Sequence, residues 1–191
     1  GRRWIASCED VAEIVTDVCP DARPWADILA MPVPEARRVG LPPPGPPWRI
    51  ATLGRLVPIK GLDDLAAAMA GCPVELHVCG AGPGEASLRA ACEGAGVRAV
   101  FHGVVTGDSK SRVLSSVHAL AQPSRQMGPR AEGSPVAVAE AFSYGLPVLV
   151  TRTGGLPEAA AAGPHVVAQP GVTGLRAAWP AFESVLEQHW H

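Results

Sequence analysis

Six short apolar runs, most followed by a stretch with helical patterning, constrain this chain more than any other feature of its sequence. The runs are Arg49–Leu53, Glu75–Cys79, Ala99–Phe101, Ala119–Gln122, Val148–Thr151 and His165–Ala168. Helical stretches lie between them at Leu62–Met69, Ala86–Glu93, Ser109–Ser116, Val136–Ser143 and Leu156–Ala161. Short, nearly continuous apolar strands separated by helices cannot pair as hairpins, because each strand must bury both faces and each connection must cross the sheet. The pattern predicts an α/β fold: a Rossmann-like parallel sheet with helices on both faces. Such sheets hold ligands beyond the carboxyl ends of their strands, so the loops to search begin at Gly54, Gly80, Gly103, Pro123 and Arg152.

Ahead of this unit the segment Leu41-Pro42-Pro43-Pro44-Gly45-Pro46-Pro47 lacks the amide hydrogens that a helix or a sheet interior needs. It reads as an extended linker over residues 41–47, dividing residues 1–40 from a main domain over 48–191. The first part reads as a small strand-helix-strand: Trp4–Ala6, a helix from Cys8 capped by Ser7, and Ile28–Met31. The abrupt opening, Gly1-Arg2-Arg3-Trp4-Ile5, has no signal-peptide apolar region and is what a fragment would show.

Composition narrows the partners. With 16 basic against 18 acidic residues and no run of like charge, the chain offers no electrostatic basis for binding nucleic acid or a membrane surface. No apolar run reaches the length of a membrane span. Five cysteines without paired metal spacing point to reduced, partly buried thiols and a cytoplasmic setting. Only Lys60 and Lys110 are lysines, the other basic residues being arginine, so each lysine draws notice.

Three loops carry candidate chemistry. Gly54-Arg55-Leu56-Val57-Pro58-Ile59-Lys60-Gly61 places a planar arginine fork and a mobile lysine charge past the first strand, a pair suited to a diphosphate. The plainer reading is two solvated loop cations; Asp63 and Asp64, next in line, read as structural at a helix N-terminus. Gly80-Ala81-Gly82-Pro83-Gly84 resembles a dinucleotide loop, but its third glycine falls one place short and Val100 stands near where a ribose-binding acid belongs. It reads as a turn or a close backbone approach to a ligand. Glu132 and Glu140 flank Gly133, Ser134 and Pro135, with Ser134 suited to cap and Pro135 to open the helix that carries Glu140. That pair matches a nucleotide sugar, whose two polyol rings are separated by a diphosphate that helix amides can bind. Glu132 reads otherwise as a solvated loop acid and Glu140 as one on a helix's wet edge. Yet Glu140 stands in the apolar run Val136–Phe142, where a carboxylate needs a partner, and ligand hydroxyls would serve.

Taken together, Gly54-Arg55-Leu56 with Lys60-Gly61, the two glutamates, Ala141-Phe142-Ser143-Tyr144-Gly145-Leu146-Pro147-Val148 and Thr153-Gly154-Gly155-Leu156-Pro157-Glu158 resemble the C-terminal, donor-binding domain of group 1 (family 4 type) retaining glycosyltransferases of GT-B architecture. The resemblance runs from about residue 48 to 175. It implies that Arg55 and Lys60 hold the donor diphosphate and stabilise it as it leaves, that Glu132 bonds the transferred sugar, and that Glu140 bonds the ribose. It further implies that Gly133, Ser134 and Pro135 offer backbone to phosphate and sugar, and that Val104 and Val105 lie beside the base. On this reading Arg55, Lys60 and Glu132 are the catalytic set, and Gly54 completes the donor loop. No metal or cofactor is implied, the nucleotide diphosphate sugar being the donor substrate. The acceptor would sit on the missing N-terminal domain, of which residues 1–40 look like the end, and the full-length parent is open to membrane association.

The sequence departs from the family pattern at Ala81, Ser134 and Met31-Pro32-Val33-Pro34, and the tail Phe182–His191 is short for the helix that returns to the N-terminal domain. The expectation is a hexosyltransferase type of activity in the parent, with this piece binding donor but not turning it over. Alternatives are a non-catalytic sugar-nucleotide-binding module and a sugar-nucleotide epimerase of similar fold. Scattered histidines and the absence of Asp-x-Asp or Gly-x-Ser-x-Gly leave metal-diphosphate and acyl-hydrolase chemistry without residues.

Overall fold

A computed structural model of the chain describes residues 3–4, 23–24, 39–127 and 136–190. The expected helix from Cys8 and the strand Ile28–Met31 lie outside them. Two short strands, β1 (Arg3–Trp4) and β2 (Arg23–Pro24), pair in parallel. The sequence had placed a strand start at Trp4 and nothing at Arg23, where a proline argues against strand.

The main sheet is parallel throughout, with strands β3 (Trp48–Leu53), β4 (Val74–Cys79), β5 (Arg98–Gly103), β6 (Ala119–Gln122), β7 (Val148–Thr151) and β8 (His165–Ala168) in spatial order β5-β4-β3-β6-β7-β8. The order reverses between β3 and β6, the kind of switch point where open α/β sheets bind ligands. Helices α1 (Leu62–Ala68), α2 (Glu85–Ala95) and α6 (Val172–Trp190) share one apolar cluster with Ile50, Leu76 and Leu149 of the sheet. Helices α3 (Gly107–Ser115), α4 (Val136–Ser143) and α5 (Leu156–Ala160) share the other, with Ala51, Leu120 and Val150. Neighbouring strand residues such as Ile50 and Ala51 feed opposite cores, which is why the runs read as continuously apolar.

Helix α6 begins ten residues before the short tail helix, Phe182–His191, that the sequence suggests. It is 19 residues long and carries Pro180 in its interior. The apparent break at that proline hides a regular buried stripe of Leu175, Trp179, Phe182 and Leu186, at spacings of four and three that suit one helix face. Among the described residues no helix is long and apolar enough to cross a membrane.

Histidines tie neighbouring segments of this sheet together. His118 Nδ1 accepts the Arg49 N–H at 2.9 Å, and its Nε2–H donates to the Pro43 carbonyl at 2.7 Å, tying the proline-rich segment to the sheet. The indole of Trp190 donates to the His118 carbonyl at 2.9 Å, pinning the end of α6. On β4, His77 Nε2 donates to Glu75 Oε1 at 2.9 Å and His77 Nδ1 lies 3.0 Å from His102 Nε2; Arg98 closes the chain on Glu75. Each of these histidines uses a ring nitrogen as acceptor or stands in a low-polarity setting, and burial lowers the pKa of His77, His102 and His118.

Folding therefore favours the neutral rings, and the unfolded chain takes up protons first as pH falls below about 6.5. The melting temperature is expected to be level from pH 8 to about 6.5 and to decline from there toward pH 5, with the decline reduced in His118→Gln. A scanning calorimetry series that stays flat to pH 5 would contradict the neutral-histidine account.

Candidate functional site

At the carboxyl edge of the sheet, the loops after β3, β4 and β5 meet the first turns of α3 and α4 around a cleft of about 430 Å³. Of the residues singled out from sequence, Gly54, Arg55, Lys60, Val104, Val105 and Glu140 all line it. Glu132, Gly133, Ser134 and Pro135 lie outside the described residues, as does the expected cap of α4. Gly80 and Ala81, from the glycine-rich loop read as a turn or a close approach to a ligand, line the cleft as well, and so do Lys110 and Gln122, to which the sequence assigns no role there.

The loop that carries the two cations is held from both sides. Toward β4, Gly54 N–H donates to the Cys79 carbonyl and Leu56 N–H to the Ala81 carbonyl, both at 3.0 Å, while Gly84 N–H donates to the Leu56 carbonyl at 2.9 Å. A Cβ on Gly80 would stand 1.8 Å from the Gly54 carbonyl oxygen, and one on Gly82 would stand 2.4 Å from that of Leu56. The glycines of this loop are thus explained by contact with protein backbone, which neither a dinucleotide nor a free turn required. Toward β6, the Gln122 amide donates to the Leu53 carbonyl at 2.8 Å and Arg125 N–H to the Ile59 carbonyl at 2.7 Å.

Arg125 completes the clamp. Its Nε donates to Asp64 Oδ2 at 2.5 Å and its Nη2 to Asp63 Oδ2 at 3.0 Å. The hydrogen bond to Asp64, then that to Asp63, raises the guanidinium pKa further above its usual range. Asp63 and Asp64 are structural, as their place in the first turn of α1 suggested, and they fix the loop after β6 to the loop after β3. Ser124, beside Arg125, is held through its carbonyl by the hydroxyls of Thr151 at 2.6 Å and Thr153 at 3.1 Å.

Within the cleft, Arg55 is exposed, and the half-buried Lys60 follows the short 3-10 turn Pro58–Lys60 back over the end of β3. Its Cε would be 3.5 Å from a Cβ at Gly54, so the loop's glycine and its lysine face one another. Across the cleft Glu140 has found a partner, as its apolar surroundings required, but within the protein: Lys110 Nζ lies 2.5 Å from Glu140 Oε1. Burial lifts the Cys79 thiol to about 12, which favours its protonated form. The signal for Lys110 was present in its rarity; its distance of 30 positions from Glu140 concealed the pairing. Among the described residues no group of three or more His, Cys, Asp or Glu is placed to hold a metal ion.

Residues 47–179 match the sequence profile of the family described as Glycosyl transferases group 1. No curated protein sequence matches the chain. Among solved structures, the catalytic domain of cholesterol-alpha-glucosyltransferase from Helicobacter pylori is similar at a TM-score of 0.59 and 20% identity, over 75% of this chain and 92% of that one. A glycosyltransferase involved in avilamycin A biosynthesis is similar at 0.71 and 21%, over 97% of this chain and 58% of that one. HepE of Anabaena, solved in complex with UDP and glucose, is similar at 0.54 and 17%, over 75% of this chain and 42% of that one. The chain thus spans well under two thirds of the length of the latter two proteins.

The close approach at Gly80 gives a direct check on the site's construction. Gly80→Ala, at φ +152° and against the Gly54 carbonyl, should destabilise the fold by about 1–3 kcal/mol and displace the loop bearing Arg55 and Lys60. Chemical denaturation reads the first effect. An unchanged midpoint would mean that the two loops do not meet as described.

Proposed function

Because this chain belongs to the group 1 glycosyltransferases and carries one Rossmann-like GT-B domain, we propose that it is the donor-binding part of a retaining enzyme. That enzyme moves a hexose-like sugar from a nucleotide diphosphate sugar to an acceptor hydroxyl. The observation that carries the reading is the cleft at the sheet's carboxyl edge, where Arg55 and Lys60 stand on a braced loop and Glu140 stands opposite on a helix. HepE's complex with UDP and glucose supports the choice of ligand.

In this reading Arg55 and Lys60 bind the diphosphate and stabilise the charge that grows on it as the glycosidic bond breaks, which lowers the barrier only because the charge is larger in the transition state. The acceptor attacks the same face of the sugar and gives up its proton to a phosphate oxygen. Glu140 accepts the ribose hydroxyls, Val104 and Val105 flank the base, Glu132 accepts hydroxyls of the transferred sugar, and Gly133, Ser134 and Pro135 offer amides. The acceptor site belongs to the remainder of the parent. Glycosyl transfer by that parent, as against ligand binding alone, separates the enzyme from a sugar-nucleotide-binding module.

Lys60→Ala should weaken binding of a nucleoside diphosphate by about 1.5–3 kcal/mol, the worth of a charge-assisted contact, and leave the nucleoside itself little changed. Binding should also persist in EDTA, since the diphosphate is met by cationic side chains. Titration calorimetry of the diphosphate and the nucleoside decides the point. Equal losses for both, with a lower melting temperature, would make Lys60 a structural residue and the loop a misread motif.

A further inference from the structure

The two lysines of an otherwise arginine-only basic set both line the cleft, and only Lys60 has a role in the reading above. Lys110 lies in the first turn of α3, which follows the Val104-Val105 loop. That turn is set by Ser109, whose hydroxyl accepts the Thr106 N–H at 3.0 Å and donates to the Thr106 carbonyl at 2.7 Å. One position on, Ser111 Oγ meets Tyr144 Oη at 2.7 Å in a buried hydrogen bond. Tyr144 is one turn beyond Glu140, and its N–H donates to the Glu140 carbonyl. Helix α3 and the end of α4 are thereby joined by a buried neutral bond, and Leu114 and Val138 belong to the same buried apolar cluster.

A second bridge between the same helices, made of a long flexible cation and a carboxylate on the cleft wall, adds little that the first does not supply. It does determine where the carboxylate points. The Glu140 side chain is 16% exposed and that of Lys110 29%, so both are half withdrawn from solvent but open to the cleft. Lys110 engages Oε1, and the described residues make no other hydrogen bond to the carboxylate, which leaves Oε2 to accept from a ligand.

We infer that Lys110 is a positioning residue for ribose recognition: by holding Oε1 of Glu140 it turns Oε2 toward the hydroxyls of a bound nucleoside diphosphate. The inference rests on the nucleotide reading proposed above. An ammonium suits the task because its three donors radiate, so one can bond Oε1 without covering Oε2.

The test compares UDP, GDP and ADP, whichever binds, with the 2′,3′-dideoxy counterpart by titration calorimetry on this chain. The ratio of the two affinities cancels any general electrostatic effect of the lysine on the diphosphate. The unaltered chain should favour the ribonucleotide by about tenfold or more, worth about 1.4 kcal/mol. Lys110→Met, which keeps the apolar stem, should shrink that ratio to about twofold, a change read within one variant and so independent of any melting temperature lost with the ion pair. Lys110→Gln, which keeps one donor toward Oε1, should retain part of it, and adding Lys110→Met to Glu140→Gln should cost nothing further. Equal loss for both ligands in Lys110→Met overturns the inference and leaves the nucleotide reading standing. Binding without any preference for the ribonucleotide removes Glu140 from the ribose and the inference with it, while the diphosphate site survives. No binding of any nucleoside diphosphate overturns both readings together. If Lys110→Met does not fold, the same ratio in Lys110→Gln decides: a value equal to that of the unaltered chain overturns the inference, and a smaller one supports it.

Discussion

Parallel pairing governs this molecule, since a strand that must be re-entered from the same end forces every connection across a face of the sheet and gathers the outgoing loops along one edge. β3 sits in the middle of that sheet, between β4 and β6, so its outgoing loop is the one that can be gripped from both sides. On one flank the grip is backbone to backbone through Gly54, Leu56 and Gly84; on the other it is Gln122 and the Arg125 bridge to Asp63 and Asp64. For the proposed function the consequence is preorganisation: cations on a braced loop need little rearrangement to meet an anion, so less binding energy goes into ordering them.

The sequence disclosed most of the fold for the reason that makes parallel sheets easy to recognise. Strands buried on both faces read as apolar runs, and β6, β7 and β8 begin and end where the runs do. Helix α4 likewise coincides with its apolar stretch. The first half of helix α6 escaped because proline is a local signal of interruption, whereas the apolar stripe on either side of Pro180 is a longer-range one that prevails once Trp179 and Phe182 are buried. Ring tautomers were equally out of reach, for they depend on partners such as Pro43 and Arg49 that stand 75 and 69 positions from His118.

The site was legible only where chemistry is local. Arg55 and Lys60 share one loop, so their meeting in one cleft could be read from spacing. Glu140 declared that it needed a partner, because an acid amid Val138, Ala139 and Ala141 is costly when alone, yet nothing in the neighbouring text identified that partner. The glycine-rich loop misled in the opposite way. Its composition announced close approach, but the surface approached is the carbonyl ridge of Gly54 and Leu56, a tertiary fact.

The choice of lysine at position 110, in a chain whose other cations apart from Lys60 are all arginine, bears on what the cleft can recognise. A guanidinium facing Glu140 would present a planar fork and tend to engage both carboxylate oxygens at once, which is the geometry that makes Arg–carboxylate pairs strong. That strength would close the carboxylate to a ligand, since both oxygens would already be directed at protein. The ammonium makes a single short contact to Oε1, and its radiating donors need not cover the second oxygen. The wall opposite Arg55 and Lys60 therefore carries an acceptor and donors side by side, a polar pattern suited to vicinal hydroxyls, which both donate and accept, and less suited to a second phosphate, whose charge the acceptor would repel.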